Sequence, residues 1–342
     1  MRKLIKKIKR SLLPRAENVI ISEVSGNVPL YSNKNACVFC HHDSDGQIDD
    51  YVINILRNIK TGLGCSIIFV SNSANLLPRE VEKIKDLVAL SIVKSNIGYD
   101  FDAFRVGFSK IAGLEKFTSI YFANDSFYGP FTNFSDVAEA MGGYDMWGLT
   151  DSIVPVPHIQ SYFLAFRLNE RTRAFLEGFW DEYKLLHCKH EIVTNYEIGI
   201  SRRALAAGLK IGSYCRHEDV INSQKAILQH DHIEKELEKD FIFPGQDLDN
   251  KIKAMRNYGL SAKRSARKKL YRKNSNAVDN PCLKDWYTLL KYHKCPVLKI
   301  RLLRDPAFFK YHYFNHESAL KELYPEFDAG MIRRHLQRVG MR

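Results

Sequence analysis

The sequence of 342 residues contains no apolar run that is long enough to cross a membrane. A membrane-spanning helix needs about 20 consecutive apolar residues. We expect no signal peptide either, because the basic N-terminus is not followed by a long apolar core and a small-residue cleavage site. The seven cysteines are an odd number and favour reduced thiols over a disulfide framework. These absences predict a globular protein of the cytoplasm.

Acidic residues are missing from residues 251–275, a segment that contains ten Lys or Arg residues. Residues 1–16 contain seven more, and because the whole chain carries a net charge of +12, the remainder is net negative. Two basic segments attached to an acidic remainder favour a polyanionic surface as partner. Neither segment matches an RNA-binding motif, so we expect an anionic membrane surface and no nucleic acid.

The first 20 residues form a basic amphipathic segment. On a helix, Leu4, Ile5, Ile8 and Leu12 fall on one face, and lysines and arginines surround that face. This pattern is typical of a helix that lies flat on anionic lipid. A solvated basic tail is the alternative. The membrane interpretation predicts a peripheral protein on the inner face of a bacterial plasma membrane.

Strands and helices alternate along the chain from residue 36 onward. Apolar runs predict strands at 36–42, 65–72, 88–96 and 118–126, with helical spacing between them. Further strands are predicted at 144–150, 161–167 and 209–215, and further helices at 171–186 and 195–207. The alternation indicates βαβ units, and it predicts an α/β fold with a Rossmann-type, mostly parallel sheet flanked by helices.

Polar side chains follow the first four predicted strands. They are His41–Asp43, Ser71–Ser73, Ser95–Asn96 and Asn124–Ser126. Ligands of open α/β sheets bind outside the carboxyl ends of the strands, so these residues are expected to line one binding rim. Turn and capping chemistry is the alternative, because Asn, Asp and Ser are also turn residues.

Five motifs in the same order resemble the rhamnan synthesis F family, and they are GYDFDAFRVG, YFANDSFYGPF, YDMWGLTDS, HIQSYFLAF and NYEIGISRRALAAG. Asp279 to Trp286 and Pro296 to Pro306 resemble the family's C-terminal signature. The resemblance implies a bacterial glycosyltransferase of GT-A-like fold that assembles rhamnose-containing and other cell-surface polysaccharides, such as the O-antigen of lipopolysaccharide. It implies a glycosyltransferase domain over 35–220, with a nucleotide-sugar half (35–130) and an acceptor half (131–220). A helical, basic C-terminal region follows over 221–342.

The resemblance also implies a set of donor-binding residues. They are Asn72, Asn96, Gly98, Tyr99, Asp100, Arg105, Asn124 and Asp125. Asp100 and Asp102 do not face the same way on a helix, so we do not expect them to act together. Asp100 is interpreted as a helix N-cap or a sugar contact. Arg105 is interpreted as an ion-pair partner of Asp102 or a ligand of phosphate.

The metal-binding position of the GT-A enzymes is incomplete in this sequence. Where those enzymes carry two acidic residues in a DxD motif, this chain has Asn124, Asp125 and Ser126. Three alternatives follow. Asp125 holds Mg²⁺ or Mn²⁺ with phosphates and water, a second carboxylate comes from elsewhere, or no metal takes part.

Glu197 is the expected general base, because it falls at the family's acidic position at the start of a predicted helix. Asp151 is the second candidate, and Trp147, His158 and Gln160 are expected on the acceptor side. The expected acceptor is a lipid-linked glycan, and inversion at the sugar is expected by analogy. The incomplete DxD motif favours one other interpretation, a degenerate GT-A domain that acts as a binding or scaffold subunit among polysaccharide assembly enzymes.

Overall fold

The computed structural model describes residues 19–229, 280–306, 308 and 315–340. Residues 1–16 and 251–275, the two basic segments, lie outside the described residues. Eleven strands are present in this part of the chain. They are β1 (Ile20–Ser25), β2 (Asn35–His41), β3 (Cys65–Ser71), β4 (Leu90–Lys94), β5 (Ser119–Asn124), β6 (Phe127–Tyr128), β7 (Met146–Ser152), β8 (His158–Ile159), β9 (Phe163–Arg167), β10 (Ile211–Cys215) and β11 (Leu298–Lys299).

Nine of these strands form one twisted sheet in the order β1-β4-β3-β2-β5-β9-β7-β10, with β8 paired to β7. Strands β4, β3, β2 and β5 run parallel, and β10 runs parallel to β7. Strands β1 and β9 are antiparallel to their neighbours. The predicted mostly parallel α/β sheet is therefore confirmed, and the edge strand β1 and the short β8 are additions that the apolar runs did not reveal.

Helices cover both faces of the sheet. They are α1 (Asp50–Gly62), α2 (Pro78–Glu82), α3 (Tyr99–Phe108), α4 (Phe134–Ala140), α5 (Glu170–Asp181), α6 (Lys189–Ile192), α7 (Ile198–Ala206), α8 (His217–Gln229), α9 (Pro281–Lys284), α10 (Trp286–Tyr292), α11 (Ile300–Arg304), α12 (His316–Leu323) and α13 (Gly330–Arg338). None of the helices in the described ranges combines the length and the apolar character that a membrane crossing requires.

Two apolar cores lie on opposite faces of the sheet because strand side chains alternate between the faces. In β2, Phe39 belongs to one core, whereas Val38 belongs to the other. Helix α3 closes the second core, and its Gly107 lies against β2 so closely that a Cβ atom would come within 2.3 Å of Val38 Cγ1. The rim at the strand ends is thus fixed from both sides by packed helices.

The C-terminal region packs into the same core as the sheet. Trp286, Leu302, Leu320 and Ile332 are buried in the cluster that also contains Phe39. The helical character expected for this region holds for the described part, which contains five helices after residue 280. Strand β11 was not expected there. It pairs antiparallel with β6, and this pairing carries the late part of the chain to the rim.

Candidate functional site

The candidate site lies at the carboxyl ends of the parallel strands. Strands β2 and β3 end in register at His41 and Ser71, and β2 meets the end of β5 where Cys40 pairs with Asn124. The four predicted polar turns therefore reach one edge of the sheet, as ligand-binding residues of open α/β sheets do. His41 is buried, and its ring contacts Ser71 Oγ and the Gln47 carbonyl at 3.0 Å each.

Helix α3 begins two residues earlier than an N-cap at Asp100 would place it. Gly98 occupies the N-cap position with φ 75°, and Asp100 lies inside the first turn, so the prediction of Asp100 as N-cap is wrong. A side chain at Gly98 would be strained at this φ, and its Cβ would lie 2.4 Å from Asp102 Cβ. The glycine lets the chain turn sharply from β4 into the helix.

The two aspartates of α3 face different surroundings, as helix geometry predicts. Asp102 is fully buried and pairs with Lys94 Nζ at 3.0 Å and Arg105 Nε at 3.2 Å. Lys94 ends β4 and also donates to Asn72 Oδ1 at 3.1 Å and to the Ile97 carbonyl at 3.0 Å. Asp102 and Lys94 thus form a buried ion pair beneath the rim, and the predicted pairing of Arg105 with Asp102 is present.

Asp100 faces the rim and contacts β5. Its Oδ2 accepts a hydrogen bond from Asn124 Nδ2 at 2.8 Å, and Cys40 Sγ lies 3.5 Å from Oδ1. Asn124 Oδ1 in turn accepts from the Ser126 amide at 3.1 Å and the Ser126 hydroxyl at 2.6 Å. The Asn of the incomplete DxD motif therefore links Asp100 to the turn that follows β5.

Asp125 is held on the turn between β5 and β6. The His42 amide donates to its Oδ2 at 2.8 Å, and the Tyr51 hydroxyl donates to its carbonyl at 3.2 Å. Burial raises the pKa of Asp125 to about 7, although the His42 hydrogen bond opposes the shift and the nearby charge of Asp100 adds to it. Asp100 and Asp125, the two acidic residues that are predicted to bind the donor, therefore lie close enough for their charges to interact.

The other predicted donor residues follow β3 and β4, and they differ in exposure. Asn72 is buried, and its Nδ2 donates to the Tyr99 carbonyl at 3.3 Å. Asn96 is exposed, and Tyr99 is 39% exposed with φ 51°. The Tyr99 side chain is therefore accessible to a ligand. Asn72 is not, and it instead stabilises the β4–α3 turn through its hydrogen bonds with Lys94 and the Tyr99 carbonyl.

Glu197 approaches the rim from the second half of the fold. The Ser161 amide donates to its Oε1 at 3.2 Å. Its predicted place at a helix start is wrong, because residues 189–206 are helical throughout and Glu197 ends a π-helical turn, Val193–Glu197, between α6 and α7. Such turns are frequent at functional sites, and the extra residue shifts the helical spacing, which explains why the sequence pattern begins only near residue 195.

Asp151 is engaged at the start of a helix. Its Oδ1 accepts from the His217 amide at 2.6 Å, the first amide of α8. A carboxylate in this position stabilises a helix N-terminus whatever the activity. The placement gives Asp151 a structural role and leaves its catalytic role a prediction.

The predicted acceptor residues are divided between the core and the β7–β8 region. Trp147 is 5% exposed and packs against the rings of Tyr121 and Phe163 in the core. His158 Nδ1 contacts the Val156 carbonyl at 2.8 Å, and Gln160 Oε1 accepts from Thr150 Oγ1 at 2.7 Å. An acceptor role for Trp147 therefore does not follow from its position, and His158 and Gln160 are already hydrogen-bonded.

Lys299 is the site residue that sequence reasoning missed. It lies on β11, and its Nζ donates to Ser126 Oγ at 2.6 Å and sits 4.0 Å from the centre of the Tyr162 ring. Burial lowers the pKa of Lys299 to about 8, and the charges of Glu197, Asp100 and Asp125 act in the opposite direction. Its only sequence signal is its position in the C-terminal signature PVLKIRLLRDP.

The donor set was compared with what a divalent cation requires. Mg²⁺ and Mn²⁺ favour several oxygen ligands, but within the described ranges no three His, Cys, Asp or Glu side chains form a group that could hold a metal. Asp125 and Asp100 already accept hydrogen bonds, and the Lys299 ammonium contacts the neighbouring Ser126. The residues fit such an ion poorly, and a bound cation stays a prediction.

Comparison with known proteins gives partial matches of low identity. Virulence protein VirA of Vibrio anguillarum is 25% identical over 184 residues, 52% of this chain and 59% of VirA. The uncharacterized protein y4gN of Sinorhizobium fredii is 26% identical over 192 residues, 53% of this chain and 49% of y4gN. The chain therefore spans about half to three-fifths of the length of these curated relatives.

The chain is also similar to a solved structure and to a protein family. The crystal structure of S. aureus TarS 1–349 in complex with UDP-GlcNAc aligns with a TM-score of 0.36 at 10% identity, covering 75% of this chain and 78% of TarS 1–349. Residues 67–236 match the family described as rhamnan synthesis protein F. This segment contains α3, the turn after β5 and Glu197. Through residues 67–236, the chain belongs to the rhamnan synthesis protein F family.

Proposed function

We propose that this protein is a glycosyltransferase that transfers a sugar, such as rhamnose, from a nucleotide-diphosphate sugar to a growing lipid-linked surface polysaccharide. The observation that carries the proposal is that the charges of Asp100, Asp125 and Glu197 act on Lys299, whose ammonium contacts Ser126 at the carboxyl ends of the parallel strands. Family membership supports the same class of reaction. Charged groups converging at this edge are typical of a catalytic site rather than of packing.

In the proposed reaction, the oxygen of an acceptor hydroxyl attacks the anomeric carbon of the donor sugar. Glu197 takes the hydroxyl proton, and the bond between the anomeric carbon and the diphosphate oxygen breaks. The nucleoside diphosphate leaves with the bonding electrons, so attack from the opposite face inverts the sugar. Asp100, held by Asn124, is proposed to contact a hydroxyl of the donor sugar.

The decisive experiment measures released nucleoside diphosphate from a panel of nucleotide sugars that includes dTDP-rhamnose, with and without lipid-linked acceptor. For Glu197→Gln we expect kcat to fall about 10²- to 10⁴-fold, because the amide cannot take the proton, while nucleotide binding stays unchanged. Glu182→Gln is the matched control, since Glu182 is an exposed glutamate that pairs with Arg203. It is expected to keep full activity.

A second candidate function is a scaffold subunit that binds polysaccharide assembly enzymes without catalysis. The single acidic residue in the turn Asn124–Ser126 favours it. Absence of turnover with every donor, together with retained binding to partner enzymes, would support this alternative. Equal turnover in Glu197→Gln and the unaltered protein would leave the transferase in place but remove Glu197 as its base.

Attachment to the inner face of the plasma membrane is part of the proposal and concerns residues 1–16 and 251–275. Their charge favours anionic lipid. Flotation with liposomes that contain anionic lipid, compared with the chain lacking residues 1–16, measures the contribution of the first segment. Unchanged flotation would remove that segment from the proposal.

A further inference from the structure

Lys299 reaches the candidate site through a backbone pairing that the sequence did not reveal. Strand β11 pairs antiparallel with β6, and Lys299 is opposite Phe127. The Ile300 amide donates to the Ser126 carbonyl at 3.1 Å. At Gly129 a Cβ would lie 2.5 Å from the Pro296 carbonyl, so this glycine permits the close approach. The ammonium is therefore fixed at the rim by a short sheet and not by a flexible side chain alone.

The ammonium has capacity for another acceptor. A lysine carries three N–H donors, and in the described part of the chain its one hydrogen bond goes to the neutral Ser126 hydroxyl, with no carboxylate within 4.0 Å. The Tyr162 ring covers another side at 4.0 Å. A partly buried cation with one neutral partner is well suited to an anionic oxygen from a ligand.

The proposed reaction requires positive charge at one definite place. As the sugar leaves, negative charge develops on the diphosphate, and it must be stabilised at the carboxyl ends of the strands. The three carboxylates there repel a diphosphate, and the donor set fits a divalent cation poorly. Lys299 lies on β11, and its ammonium contacts Ser126 of the turn Asn124–Ser126, where the metal of GT-A enzymes would bind.

We propose that Lys299 is the cation that binds the diphosphate of the nucleotide-sugar donor, so that donor binding and transfer need no divalent ion. This inference rests on the proposed function, because the diphosphate enters only as part of a sugar donor. Ser126 positions the ammonium, and the negative charges of Asp100, Asp125 and Glu197 favour its protonated form. Leaving-group stabilisation thus comes from a segment more than 60 residues beyond the part that matches the family.

The test measures binding of UDP, dTDP and GDP, and of their nucleosides, to the full chain in EDTA by calorimetry. At least one diphosphate is expected to bind the unaltered protein without metal. Lys299→Gln keeps a group for Ser126 but removes the charge, so we expect that diphosphate to bind about 10- to 100-fold more weakly. Nucleoside binding should not change, and Lys299→Arg should recover part of the loss.

Lys210→Met is the matched control. Lys210 also places its ammonium over a tyrosine, 4.8 Å from the Tyr144 ring centre, but it precedes β10 at the opposite edge of the sheet. Its substitution should leave diphosphate binding unchanged. Thermal unfolding of each variant shows whether it is folded. If Lys299→Gln does not fold, the unaltered protein still tests whether diphosphate binding needs a metal. Inorganic pyrophosphate is expected to compete with the bound nucleoside diphosphate in EDTA.

The outcomes separate the two proposals. Diphosphate binding that requires Mg²⁺ or Mn²⁺, or that is equal in Lys299→Gln and the unaltered protein, overturns the role of Lys299 and leaves the transferase intact. Failure of the unaltered protein to bind any of the three diphosphates, with or without metal, contradicts the proposed function and the role of Lys299 together.

Discussion

At the scale of single residues, burial changes the chemistry of the rim. His41 ends β2 beneath the loop that carries Asp43, and burial lowers its pKa to about 4, with Asp43 opposing the shift and the charges of His42 and Arg338 adding to it. The imidazole is therefore neutral at pH 7. With Nε2–H donating to the Gln47 carbonyl, Nδ1 accepts from Ser71, and this pair of bonds fixes the ring.

His41 should make the fold sensitive to acid. The unfolded chain has the ordinary pKa of about 6.5 and binds more protons than the folded chain between pH 4 and 6.5, so stability rises with pH across this window. The contribution of His41 to the free energy of unfolding is fully present above pH 6.5. It is lost as the pH falls toward 4, and the loss reaches about 3 kcal/mol. In His41→Gln the difference between urea unfolding at pH 5 and pH 7.5 should shrink. An unchanged difference would contradict this role.

Much of the rim at this scale could be predicted from the sequence. The positions of Asp100, Asn124 and Asp125 follow from strand ends, and the pairing of Arg105 with Asp102 follows from helical spacing. The contributions of Lys94 and Lys299 could not be predicted. A lysine in an apolar strand has no periodic signal, and its partners come from distant parts of the chain.

At the scale of elements, the β4–α3 turn depends on one buried ion pair. Lys94 and Asp102 both have fully buried side chains, and Lys94 also donates to Asn72 Oδ1 and to two carbonyl oxygens of the turn that leads to Gly98. Removing Lys94 takes away the fully buried partner of the Asp102 carboxylate, and breaking a buried pair in this way is strongly destabilising. The β4–α3 turn is therefore held in place by the contacts of Lys94.

Lys94→Met should lower the free energy of unfolding by about 3–5 kcal/mol, because Asp102 loses its fully buried partner. Arg105→Met is the control on the same carboxylate, and it should cost only about 1 kcal/mol because the Arg105 side chain is 35% exposed. Urea denaturation measures both. The double variant Lys94→Met/Asp102→Asn should recover part of the loss, and equal costs for the two single variants would contradict the argument.

The bounds of two helices and the existence of two short strands differ from the prediction. The helix predicted at 171–186 ends at Asp181, and the one predicted at 195–207 continues a helical stretch from Lys189. The π-helical turn that ends at Glu197 breaks the 3.6-residue spacing on which the prediction relied. Strands β8 and β11 contain two residues each, too few to show any alternation.

At the scale of the whole molecule, the C-terminal helix α13 is joined to the rim by charge. Arg338 binds Asp43 and Asp49 at 2.5 Å each and Asp45 at 3.0 Å. Its neighbour His335 is buried and contacts the Tyr128 hydroxyl at 2.6 Å. The loop between β2 and α1 is thus held by residues almost 300 positions away in the chain.

Arg338→Met should destabilise the fold by about 2–4 kcal/mol, because three neighbouring carboxylates lose their shared cation. The control is Arg333→Met on the same helix, whose partner Glu317 lies in α12 and not at the rim. It should leave the urea midpoint close to that of the unaltered protein. Similar shifts in the two variants would show that Arg338 has no special role.

On our proposal, the β6–β11 pairing makes donor binding depend on how much of the chain has been synthesised. A nascent chain that has emerged as far as β10 contains the large sheet, the three carboxylates and most of the family segment, but not Lys299. On our proposal such a chain repels the diphosphate, and it becomes competent only when β11 leaves the ribosome and pairs. A message cut short before codon 299 would therefore yield a family member without a usable donor site.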